Sequence, residues 1–96
     1  MIPGIVSKLS RSAVASAATI DAKSDIILIS GSTQINTINP YNEGVAGQMA
    51  VLIPTDGTLV LGTSGNILVG ITMAQNRATP LFYDKVTAKW YIDNGV

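Results

Sequence analysis

Asp21 and Asp25 are the nearest approach to a metal-binding pair in this chain, and Lys23 stands between them. Calcium takes about six to eight oxygens, supplied by a loop with acids at alternating positions, and no such loop follows. The two carboxylates therefore read as solvated groups at a strand end. Histidine and cysteine are both absent. Their absence removes imidazole and thiolate ligation, and with it most zinc, copper, haem and iron–sulfur sites. It also removes Ser-His-Asp and Cys-His catalysis. Glycoside hydrolysis needs two carboxylates across one cleft, and no spacing among the six acids points to that arrangement. Gly62-Thr63-Ser64-Gly65-Asn66 has the glycines of a phosphate cradle but no lysine-bearing helix after it, so it reads as a turn. The expectation is a non-enzymatic chain with no cofactor and no metal.

Phe82, Tyr83, Trp90 and Tyr91 form the aromatic cluster. Base stacking would also require a basic groove, and nearby Arg77, Lys85 and Lys89 are offset by Asp84 and Asp93. Core packing is the favoured role, with sugar stacking by Phe82 and Tyr91 as the minority reading. The formal net charge is zero, so no whole-molecule field draws the chain to nucleic acid or to a membrane.

These residues sit on short apolar runs rich in Ile, Val and Thr, too short for helices and bounded by turn residues. The runs are 25–30, 48–54, 58–62, 66–71, 80–84 and 89–93. The pattern predicts an all-β fold, a small antiparallel β-sandwich or barrel of short strands and hairpins. Asp56-Gly57 predicts a type I′ hairpin, and Gly62 to Asn66 a second reversal, giving a meander from Gln48 to Ile71. The closing hairpin can be registered by its pairs. A loop at Lys85-Val86-Thr87-Ala88 sets Asp84 opposite Lys89, Tyr83 opposite Trp90, Phe82 opposite Tyr91 and Leu81 opposite Ile92. One face then carries Leu81, Tyr83, Trp90 and Ile92, with Trp90 in the core.

Composition divides the chain near Thr19. Residues 1–18 hold small and basic residues and no acid, whereas all six acids lie in 19–96. Val6, Leu9 and Ala13 fall at helical spacing, while Pro3-Gly4 and the serines favour an irregular arm. A cleaved signal peptide is disfavoured, because Lys8 and Arg11 fall mid-segment with no apolar block after them. The body reads as 19–96. Only 12% of residues are charged and 47% are hydrophobic, an excess of apolar surface for one small domain. Ile26-Ile27-Leu28-Ile29 and Met49 to Ile53 do not alternate, the pattern of strands covered on both faces. One cover is the domain core, and the other points to a second copy. Ile27, Ile29, Met49, Val51 and Ile53 are the candidates for that contact.

From Asp25 onward the order of elements resembles a small β-module of tailed-bacteriophage virion proteins. The resemblance rests on Ile27-Leu28-Ile29-Ser30-Gly31-Ser32 running into Thr33 to Ile38, and on Ala46-Gly47 leading the strand to Ile53. It continues through Thr58 to Leu61, Gly65-Asn66-Ile67-Leu68 and the aromatic hairpin ending Lys89-Trp90-Tyr91. It covers about three quarters of the chain, and Gly70-Ile71-Thr72-Met73 departs from it. The resemblance implies a homotrimer on head-decoration proteins, head fibres or tail fibres. With one short arm beside the module, it implies a capsid decoration (cement) protein on the outer surface of the virion. The implied partner is the major capsid protein, and Ile2, Pro3, Ile5, Val6, Lys8, Leu9 and Arg11 become candidate docking residues. A receptor- or glycan-binding fibre tip is the alternative.

Overall fold

A computed structural model describes residues 10–41 and 47–92 of the chain. The expected docking residues Ile2, Pro3, Ile5, Val6, Lys8 and Leu9 lie outside the described residues. The described residues form nine strands and no helix. These are β1 (Arg11–Ala15), β2 (Thr19–Ala22), β3 (Ile26–Ser30), β4 (Thr37–Pro40), β5 (Gly47–Pro54), β6 (Leu59–Leu61), β7 (Ile71–Met73), β8 (Thr79–Asp84) and β9 (Lys89–Ile92).

A five-stranded sheet in the order β1-β3-β5-β8-β9 forms one layer. The other layer is built from two small sheets, β2-β4 and β6-β7, joined by a bridge between Ile35 and Leu61. The first half of the chain is a coil of strands. It alternates between layers, so that β1, β3 and β5 pair in parallel in one and β2 and β4 in the other. β8 and β9 then add antiparallel to the β5 edge. The fold is all-β as the sequence predicts, but the wholly antiparallel arrangement expected of it is replaced by parallel pairing of β1-β3, β3-β5 and β2-β4.

Two local expectations are corrected by this topology. Asp56-Gly57 makes a corner between layers, because β5 pairs with β8 and β6 pairs with β7. The Asp56 carboxylate instead accepts from the Gly31 N–H at 2.7 Å, tying this corner to the turn after β3. Gly31 has φ +83°, and a Cβ there would lie 2.6 Å from Ser16 Oγ, so the turn takes glycine. Secondly, residues 11–15, expected within an irregular arm, are part of the sheet. Arg11 to Ala15 form an edge strand in register with Ile26 to Ser30. Ser16 N–H donates to Ser30 O at 2.7 Å and Ile26 N–H to Ser10 O at 3.0 Å, so the folded body begins by Ser10.

The closing hairpin has the register expected from its cross-strand pairs, from Leu81↔Ile92 to Asp84↔Lys89. Its loop is capped by the Asp84 carboxylate, which accepts from Val86 N–H and Thr87 Oγ1. Tyr83 and Trp90 pack with ring centroids 5.1 Å apart.

The core lies between the layers. Ile27, Ile29, Ala50, Leu52, Leu81 and Trp90 come from the five-stranded sheet, and Ile20, Ile38, Leu59, Leu61, Ile67 and Met73 from the opposite side. Three hydrogen bonds converge on the Ile38 backbone at its centre. The Asn66 side chain accepts from Ile38 N–H at 2.9 Å and donates to Ile38 O at 2.7 Å. Trp90 Nε1 donates to the same oxygen at 2.8 Å. Asn66 thus completes the edge of β4 as a neighbouring strand would, and the indole joins that edge to β9. Among the described residues no buried side-chain nitrogen or oxygen is left without a partner.

Two stability predictions follow from this core. Trp90→Ala removes the largest fully buried side chain and should cost about 3–5 kcal/mol in denaturant unfolding. Asn66→Ala strands the Ile38 N–H in the interior and should cost about 1–3 kcal/mol in the same measurement.

Candidate interaction surface

Asp25, Asp21 and Asn66 each take part in hydrogen bonds that join strands or segments of the fold. Asp25 accepts from Ser10 N–H at 3.0 Å and from Ser10 Oγ at 3.1 Å, fastening the start of β1 to β3. Asp21 accepts from Asn39 Nδ2 at 2.9 Å across β2 and β4. Among the described residues no three of His, Cys, Asp and Glu gather in a metal-binding group. Gly65 packs closely against Asn36 and Thr37, and Asn66 is engaged on Ile38, so this segment is part of the core's hydrogen bonding.

The outward face of the five-stranded sheet is different in kind. Strand side chains alternate, so the residues between the core positions line this face. Register places Arg11, Ile26, Val51 and Pro80 in one row, and Ala13, Leu28 and Ile53 in the next. Met49, Phe82 and Tyr91 form a third row. The face is apolar across all five strands, with Arg11 at one margin and Asp84 and Lys89 at the other.

Its relief is uneven. Met49 and Phe82 stand out, 42% and 45% exposed, with Tyr91 beside them. Along them runs an open depression of about 440 Å³ lined by Gly47, Gln48, Met49, Phe82, Tyr83, Asp84 and Tyr91. At the opposite side the small Ala13 and Ala15 leave a hollow of about 340 Å³ with Val14, Leu28, Ser30 and Thr55.

The residues expected to contact another copy divide by parity. Met49, Val51 and Ile53 lie on the outer face, whereas Ile27 and Ile29 are fully buried in the chain's own core. The outward residues of β3 are Ile26 and Leu28. Sequence reasoning missed them because four consecutive apolar residues carry no alternation to separate inside from outside. Arg11, expected to meet capsid groups from an arm, is an exposed residue of β1 with no hydrogen bond or ion pair among the described residues. Phe82 and Tyr91 face outward, and Tyr83 and Trp90 inward.

No family model, curated protein or solved structure matches this chain.

Proposed function

We propose that this chain is a structural subunit of a tailed-phage virion, a non-enzymatic decoration protein that docks as a homotrimer on the outer capsid and reinforces it. The virion setting, the capsid partner and the number three rest on the resemblance from Asp25 onward. The observation that carries the self-associating part is the outer sheet face, apolar over five strands in a chain with few charges. Reinforcement requires apolar contact with a lattice and no chemistry at a centre, which fits a surface built this way. The charge balance speaks for protein partners over nucleic acid or membrane.

A second reading has its own observation. Phe82 and Tyr91 are exposed side by side at a depression that also holds Gln48 and Asp84. Aromatic faces with polar neighbours suit a pyranose, as on a receptor- or glycan-binding fibre tip.

Quantitative mass spectrometry of purified particles separates the two. Decoration requires a copy number commensurate with the capsid lattice, and a handful of copies would replace it with the fibre reading. The folded body, which includes Ser10, sets the bounds of a docking test. Deleting residues 1–9, and sparing Ser10 and β1, should leave a folded oligomer that no longer binds capsids. Undiminished capsid binding by the truncated protein would remove the docking role from Ile2, Pro3, Ile5, Val6, Lys8 and Leu9.

A further inference from the structure

We propose that copies of this chain associate through the outer face of the five-stranded sheet, with Phe82 and Met49 of one copy seated in the hollow over Ala13, Ala15 and Leu28 of the next. This rests on the self-association in the reading above and is independent of the virion and the capsid.

Three features select a second copy as the occupant. The first is shape. Protruding side chains gather at the β5–β8 side of the face, and a hollow floored by alanines lies at the β1–β3 side. One face thus carries both the projection and its receptacle, and a symmetric assembly can satisfy both at once. The second is charge. The rows from Ala13 to Ile53 and from Met49 to Tyr91 contain no ionised side chain, the row between them carries one, Arg11, at its β1 end, and the chain's formal net charge is zero. Two copies approach without net repulsion, and the charge on this part of the face stays at its margin. The third is pairing. β1, β3 and β5 are parallel, a pairing found with both faces covered, and here the chain's second layer packs on one face only.

The opposite layer provides the control. Val60 in β6 and Leu68 and Val69 ahead of β7 are exposed there and are as apolar, but they belong to neither the projection nor the hollow.

A size-swap experiment on the full-length chain tests the arrangement. Phe82→Ala removes the projection, and Ala13→Phe fills the hollow. Each should raise the dissociation constant in analytical ultracentrifugation by about tenfold or more. Fluorescence of the buried Trp90 should stay as in the parent, since both positions face away from the core. The double variant, with a phenyl ring on the other side of the contact, should recover most of the lost affinity. Val60→Ala should change nothing. A wild-type chain that is monomeric at high micromolar concentration overturns the proposal, including the case in which it then binds a capsid or a glycan through this face. So do single variants that associate like wild type, or a double variant no better than the weaker single one. Copy counting on particles leaves this result untouched, so the two readings fail separately.

Discussion

A five-stranded sheet that is apolar on both faces needs two covers, and the second layer of this chain packs on one face. Most of the molecule follows from that constraint. Ile27, Ile29, Leu52, Leu81 and Trp90 are closed over by a second layer assembled from the leftover short strands. Ile26, Leu28, Val51 and Ile53 are half-buried, and Met49 and Phe82 stand in the open. At roughly 25 cal/mol per Å² of apolar surface removed from water, covering such a face is a substantial driving force. The proposed self-association would add stability to a small domain without disulfides.

The inner cover has its own difficulty, since strands as short as β2, β4, β6 and β7 make small sheets with unpaired edges. The junction at Ile38 answers it. Where a further strand would satisfy the edge of β4, the Asn66 amide supplies one donor and one acceptor, and the Trp90 indole adds a second donor. Backbone bonds from Trp90 N–H to Asn66 O and from Leu68 N–H to Trp90 O connect the same segment to the edge of β9. The two layers are therefore joined by directional bonds as well as by packing. Burial strengthens each bond, because the unsatisfied alternative is costly in a dry interior.

Legibility in the sequence tracked how local each interaction is. The β8–β9 hairpin was readable to the residue because its loop is short and its cross-strand pairs favour one register. Trp90 in the core followed from the same pairs. Parallel pairing was not readable, since β1 meets β3, and β3 meets β5, only after the chain has visited the other layer. No turn signal marks that return. Asp56-Gly57 signalled a change of direction without indicating that the next strand would enter a different sheet. The expected arm takes in β1 because Ser12, Ala13 and Ala15 are small residues with little strand character of their own. Their place in the sheet is set by β3. On the outer face of the sheet, the outward placement of Met49, Val51 and Ile53 matches the expected second cover, whereas Ile26 and Leu28 stand there in place of Ile27 and Ile29. An unbroken apolar run announces burial on both faces without saying which residue takes which.

Solvent paramagnetic relaxation of the methyl groups in the assembled protein tests the second cover most directly. Leu28, Val51 and Ile53 should be nearly as protected from a soluble relaxation agent as Ile27 and Leu52 in the core, while Val60, Val69 and Val86 relax strongly. Equal, strong relaxation of Leu28, Val51, Ile53 and Val69 would mean that the outer face stays in water, and would contradict the account.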